Sequence, residues 1–449
     1  MTQTQARGRV LWTPEHRSTT AGLLLTVTLI AFENMGVATA MPTLVADLDG
    51  ERLYSWPFTA FLVASVVATV VSGRVCDRRG PAPSLLAGPA VFLAGLLVAG
   101  FAPAMGVLLL GRFLQGLGTG TLLVATSVLI AAVYTDRERP VVYGANAAAW
   151  VLPAVIGPSV AGVVTERFGW RWVFLGLVPL VVLGVALLVP VTRRLARHVP
   201  GERQRRAGVP AAVTVALGIA ALTWAAQHPS GAAPVYGVMG LAAIGLGLRR
   251  LLPAGTLTAR PGLPAVVAAR GLLAGAFAGM EAYLPLTMIG VHGYSLALAG
   301  LPLTVVAVSW SIASAIQGRH PDWRREMLLR TGFVLVAVGL LLLTAVSQPW
   351  CPAWVAFAGA AVGGGGMGIA LPSVSVLLLR LSPVAERGFN TSAMQLGDWV
   401  TSALAIGFGG VLLGLLASAE QPGPAVAVLG LTLAAMAVTG ALLTGREAR

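Results

Sequence analysis

The sequence predicts an all-α polytopic membrane protein of fourteen spans, and three observations predict it. Of 449 residues, 56% are hydrophobic and only 10% charged, too little charge to cover a soluble surface of that size. The apolar residues fall in blocks of about 20, the length a helix needs to cross a hydrocarbon core of about 30 Å. Backbone groups in lipid must be satisfied within their own segment, and these blocks lack the alternation of barrel strands, so each reads as a helix. The third observation is where the arginines fall between the blocks.

The blocks lie near 19–42, 57–73, 84–101, 105–133, 142–165 and 171–192, then 208–227 and 232–251. Six more follow near 270–290, 296–317, 328–347, 353–379, 390–417 and 423–443. With the N-terminus in the cytoplasm, twenty-six of the thirty basic residues fall on the cytoplasmic side. They include Arg7, Arg9 and Arg17, the loop arginines Arg74, Arg78, Arg79, Arg137 and Arg139, the run from Arg193 to Arg206, Arg270, and Arg446 and Arg449. Only Arg52, Arg167 and Arg171 fall outside, where Asp47, Asp49 and Glu51 also sit, and Arg112 lies within a span. Such asymmetry sets orientation, and a miscounted span would scramble it downstream. Both termini are therefore expected in the cytoplasm, with the chain in the cell (inner) membrane. The first block is too long for a signal-peptide core and contains Glu33 and Asn34, so it reads as a retained span.

Composition also excludes. A net charge of +13 would suit nucleic acid, but it is scattered over short loops without a basic domain or an aromatic RNA-binding surface. Every basic residue is arginine, so no Walker A loop and no lysine Schiff base can form. Cys76 and Cys351 fall on opposite sides of the membrane, which rules out a disulfide between them. Two cysteines and the scattered His16, His198, His228, His292 and His320 offer neither a metal cluster nor a catalytic constellation. No loop exceeds about 20 residues, well short of a receptor domain. An enzyme is not expected, nor a cofactor; the partners expected are a small-molecule substrate, protons and the bilayer, with the chain a monomer.

The loop after span 2, GRVCDRRG from Gly73 to Gly80, shares Gly-Arg-x-x-Asp with GRHPDWRR from Gly318 to Arg325. Glu138-Arg139 before span 5 matches Glu386-Arg387 before span 13. The offsets, 245 and 248 residues, nearly agree, as related halves of a transporter would. Two six-helix halves, 1–192 and 263–449, then flank a basic loop and an inserted pair, spans 7 and 8, within 193–262. The pair holds little polar beyond Trp224 and Gln227 and is expected to face lipid.

These residues carry a resemblance. The chain resembles a major facilitator superfamily transporter of the fourteen-span drug:proton antiporter branch. Gly73, Asp77, Arg78 and Gly80 match the Gly-x-x-x-Asp-Arg-x-Gly loop of that superfamily, with Pro81 and Ala82 where a basic pair usually follows. Arg112 in LGRFLQGLGTG resembles the span-4 arginine motif, with Gln115 and Gly116 in register. Gly157, Pro158 and Gly162 resemble the antiporter motif of span 5, with Pro153 in place of a small residue. WRWVFLGLVP resembles the branch's Trp-Arg-Trp pattern, and Glu33, nine residues before Pro42, stands where the branch usually has Asp. The resemblance implies a major-facilitator fold, and alternating access that exports a small amphipathic or cationic compound against protons. A same-fold symporter or uniporter for a metabolite, lipid or siderophore is the nearest alternative, and a membrane enzyme or receptor a distant one.

Ionisable groups inside spans cost about 2.5–3.5 kcal/mol or more and are functional candidates by default. Glu33, Glu281 and Asp398 are the embedded acids and Arg112 the embedded cation, and these four are the proton-coupling candidates. Asn34, Gln115, Trp150, Tyr283, Gln395 and Trp399 are candidates for the cavity wall, with helix packing the alternative for each tryptophan. Gly73, Asp77, Arg78 and Gly80 are expected to form a cytoplasmic gate, or else simply to anchor the loop inside. Gly157, Pro158 and Gly162 would form a hinge. The runs GLGTG (116–120) and GGGGMG (363–368) lie inside apolar spans with no strand before them, so they read as helix-packing faces rather than phosphate loops. Trp56, Trp170, Trp172 and Trp350 read as interfacial anchors.

Overall fold

A computed structural model describes residues 11–135, 138–195, 208–227, 231–320, 323–383, 386–416 and 421–444. Arg7, Arg9, Arg137, Arg197, Arg203, Arg205, Arg206, Arg446, Arg449, His198 and His228 lie outside the described residues. Helices account for all fourteen blocks. They are α1 (Arg17–Asp47), α2 (Trp56–Arg79), α3 (Ala82–Gly100), α4 (Met105–Val133), α5 (Arg139–Ala148 and Val151–Phe168) and α6 (Arg171–Leu175 and Val178–Leu195). The pair α7 (Val209–Gln227) and α8 (Ala233–Leu251) follows. The last six are α9 (Leu263–Gly290), α10 (Leu296–Ala299 and Leu301–Arg319), α11 (Arg325–Val346), α12 (Val355–Leu381), α13 (Arg387–Leu416) and α14 (Gly423–Thr444).

Local chemistry explains several boundaries. Gly80 ends α2 at φ 72°, a left-handed conformation that favours glycine, and its N–H caps the Cys76 carbonyl. This gives the last glycine of the Gly73–Gly80 loop a backbone reason. Before α5, the Thr135 N–H and hydroxyl both donate to Glu138, at 2.9 and 2.8 Å, and hold its carboxyl below the usual range. Proline near the first turn starts α2, α3, α8, α9 and α10, where its missing N–H costs nothing.

Helix packing repeats between the halves. In the first, α1 packs on α5 and α6, α2 on α4, and α3 on α4 and α6. In the second, α9 packs on α13 and α14, α10 on α12, and α11 on α12 and α14. The halves meet where α2 packs on α13, α5 on α10 and α1 on α9.

Twelve helices among the described residues are long and apolar enough to cross a membrane; α7 and α8 do not meet that measure, α7 being apolar over Val209–Ala225. Length and composition thus support twelve of the fourteen expected spans among the described residues. α7 packs against α2 and α13, with Gly407 of α13 set close to the Thr223 and Thr59 hydroxyls. α8 turns Val238, Met239, Leu241 and Leu246 outward.

Candidate functional site

Glu33, midway along α1, is fully buried and forms a salt bridge with Arg112 of α4, itself 1% exposed. The same guanidinium donates through Nη1 to Gln115 Oε1 at 2.5 Å and through Nε to the Pro57 carbonyl at 3.3 Å. Its Cζ lies 4.6 Å from the centroid of the Phe61 ring. Arg112 is thus compensated by a carboxylate, an amide, a carbonyl and a π face, as a permanent buried cation requires. Glu33 Oε2 and Gln115 Nε2, on the two groups that meet Arg112, are buried without a hydrogen-bond partner among the described residues, as is Thr119 Oγ1 one turn beyond Gln115 on α4.

The second half treats its acids differently. Asp398 is tied to Arg270 of α9 by three contacts of 2.7 to 2.9 Å. Sequence reasoning saw the acid and missed its partner. It took Arg270 as a loop residue, whereas α9 begins at Leu263 with a proline in its first turn and carries Arg270 inside. Arg112 is therefore not the sole embedded cation. Pro264 was the available signal for the earlier start, and a charge can enter a span once it is paired. Glu281, half-buried on α9, lines a cavity with Phe277, Val306, Leu340, Ala360 and Gly363. Its carboxylate makes no hydrogen bond or ion pair with the described residues.

The other candidates separate into wall and packing. Gln395 and Trp399 are half-buried on α13; Trp399 meets Phe61 edge-on at 6.4 Å, joining the halves, and its Nε1 has no partner. Trp150 sits, half-buried, at the break in α5. Asn34 turns back to the Ile30 carbonyl of its own helix at 3.1 Å. Tyr283 is fully buried, donating to the Ile406 carbonyl at 2.6 Å and stacking near Tyr54 at 5.3 Å, so it packs helices rather than lining a cavity. Trp170 is a correction as well. It sits at the start of α6 but is buried against protein, with its Nε1 donating to Asp47 at 2.8 Å and Arg171 over its ring. Trp172 and Trp350 are exposed. Asp77 and Arg78 are exposed at the end of α2 and Gly73 faces open space. Both cysteines are free and buried.

Gly157, Pro158 and Gly162 sit along α5, the last two at the junction of the halves. Gly162 lies against Ala297, and Pro158 against Gly300 of the second half. Nearby, the Ala297 N–H donates to Glu166 at 2.9 Å and Thr304 to the Val155 carbonyl at 2.7 Å. Tyr54 donates to the Ala282 carbonyl at 3.1 Å. These contacts close the halves together toward the end that carries loop 47–56. Gly300→Val is expected to prise them apart, because a Cβ there already meets Pro158 at 2.8 Å. A cysteine placed at Val155, in a background lacking Cys76 and Cys351, should then react several-fold faster with a water-soluble maleimide in detergent. Unchanged reactivity would show that this contact does not hold the closure.

Two matched helical bundles of membrane-length helices, with ion pairs set inside the helices, define a multi-pass membrane protein. The chain belongs to the Major Facilitator Superfamily, whose profile matches residues 23–406. It is 27% identical over 392 residues to the multidrug transporter protein MdtP of Bacillus subtilis, covering 83% of this chain and 71% of that one. It is 28% identical over 440 residues to the MFS-type transporter ppz2 of Metarhizium majus, covering 93% and 75%. Multidrug resistance protein 3 of Bacillus subtilis is 26% identical over 353 residues, covering 74% and 67%. Among solved structures, the chain is similar to a POT family transporter in complex with 5-aminolevulinic acid. The TM-score is 0.71 at 14% identity, covering 96% of this chain and 97% of that one. At that identity the likeness concerns the fold. The chain is a membrane transporter, not an enzyme.

Proposed function

We propose that the chain is a proton-coupled antiporter that exports a small amphipathic or cationic compound from the cytoplasm, within the fourteen-span drug:proton branch. The observation that carries this reading is the Glu33–Arg112 pair, an acid and a cation buried between α1 and α4 with one carboxylate oxygen still unpartnered. A proton arriving at Glu33 competes with Arg112 for the carboxylate, so loading loosens the tie between the two helices. That gives proton binding a means of shifting helix packing. A proton entering down the membrane potential supplies about 2.3 kcal/mol per 100 mV. The two Bacillus subtilis relatives named for multidrug transport and resistance support the cargo class. In this reading α7 and α8 also cross the bilayer, and both termini lie in the cytoplasm with the closed end outside. Asp77 and Arg78 then form the cytoplasmic gate, Gln395 and Trp399 the cavity wall, and Asp398–Arg270 a second tether that responds as the halves rock.

The test is transport by the full chain in proteoliposomes, with internal acidification followed during efflux of an organic cation such as ethidium. Wild type is expected to acidify the lumen as substrate leaves the other way, and Glu33→Gln to abolish the coupled signal. Efflux without acidification in wild type would rule out antiport. Equal coupling in Glu33→Gln would remove Glu33 from the proton path.

A further inference from the structure

The two halves can be laid on one another residue by residue through their glycine contacts. Gly116 and Gly120 of α4 press on the Phe61 and Ser65 carbonyls of α2; Gly364 and Gly368 of α12 press on the Val306 and Trp310 carbonyls of α10. A shift of 248 residues therefore carries α4 onto α12, and one of 245 carries α2 onto α10. These shifts place Ala360, Gly363 and Val306 where the first half has Arg112, Gln115 and Phe61. The three groups that compensate or contact the buried charge in the first half are replaced by a methyl, a hydrogen and an isopropyl.

The acid, however, is kept. Ala31-Phe32-x-x-Met35 of α1 repeats as Ala276-Phe277-x-x-Met280 of α9, which sets Glu281 three residues beyond the counterpart of Glu33. Residues three apart share a helix face, and Glu281 does line one cavity with Ala360, Gly363 and Val306. The cavity measures about 30 Å³, room for about two waters. The remaining walls, from Phe277 to Leu340 and Leu343, are apolar. An acid in the membrane without a cation beside it is costly and marks a binding function.

We infer that the chamber around Glu281 binds the charged head of a compact organic cation, a guanidinium or a protonated amine, at the place that Arg112 fills in the other half. The inference deepens the proposed function and rests on its reading of the cargo as cationic. Glu33 is already committed to Arg112, whereas Glu281 meets no cation among the described residues and is placed to receive one from outside. The chamber's size leaves room for the charged head alone, with the body trailing out of it. Selection is thus by charge and by narrowness near the charge, with tolerance for the rest of the molecule.

Butylguanidinium and butylurea share a shape and differ in charge, which makes them the probes. Their affinities for the purified full chain are measured by isothermal titration at one pH and ionic strength, without any gradient. Wild type should bind butylguanidinium about tenfold or more tightly than butylurea, and Glu281→Gln should erase that preference, as loss of a desolvated charge partner does. Ala360→Arg should also erase it, by supplying from within the guanidinium that the chamber lacks. Equal affinities in wild type, or a preference that survives Glu281→Gln, would overturn the inference. So would a folded Ala360→Arg protein that binds the cation as wild type does. Since no gradient is present, a chain that failed to couple protons would still show the preference. The two readings therefore fail separately.

Discussion

Arg112→Ala is expected to destabilise the protein by about 3–5 kcal/mol, the cost of leaving one member of a buried ion pair without its partner, and to abolish transport. The substitution strips Glu33 of its salt bridge and frees Gln115, the Pro57 carbonyl and the Phe61 face together. Arg112→Lys should rescue little. A lysine ammonium is a point donor and cannot reach carboxylate, amide and carbonyl in the fixed fork that guanidinium offers. The control is the double variant Arg112→Ala with Glu33→Gln, which removes the orphaned charge. Its thermal midpoint in detergent should recover much of the loss, while its coupled transport stays absent. If single and double variants melt together, the damage is one of packing and the buried-pair account fails.

That pair shows how far sequence alone could reach. Glu33 and Arg112 were both legible, because an acid and an arginine in the middle of apolar blocks are costly and stand out. Their contact was not, since seventy-nine residues separate them and nothing local encodes which helices meet. Asp398 was legible too, but its partner Arg270 was obscured for a different reason. Reading charge as the edge of a span holds for unpaired residues, and a pair formed between two helices removes the penalty that justifies it. The inserted pair marks the limit of composition. α7 and α8 fall short of the length-and-hydropathy measure that the other twelve helices pass, and the arginine asymmetry is the same whether or not the pair crosses, because it returns to the side it left. Trp170 was read as an anchor from residue type alone, and only tertiary structure shows that it anchors to protein, with Asp47 accepting its N–H. The glycine runs pack as their sequence reading expected, and their partners, the α2 and α10 carbonyls, repeat the 245-residue offset of the loop match and add the register of α4 on α12, which no sequence match had fixed.

Gly116→Ala should cost about 1–3 kcal/mol through overpacking and should also impair the site itself. A Cβ at Gly116 would strike the Phe61 carbonyl and approach the Ala64 Cβ to 2.9 Å. A backbone carbonyl within α2 cannot swing aside as a side chain could, so α2 must move away from α4. Phe61 moves with it, and with Phe61 goes the ring over Arg112 and the edge contact to Trp399 that joins the halves. Gly364→Ala creates the same collision with the Val306 carbonyl, and there it should distort the chamber at Glu281 rather than an ion pair. The two variants are thus expected to lose similar stability but to fail differently, Gly116→Ala in proton coupling and Gly364→Ala in the preference for butylguanidinium. Gly237→Ala is the reference, because nothing lies within 4 Å of its added Cβ and alanine favours a helix by about 1 kcal/mol over glycine. It should melt at or above the wild-type temperature. Melting of all three together would refute close backbone approach as what these glycines provide.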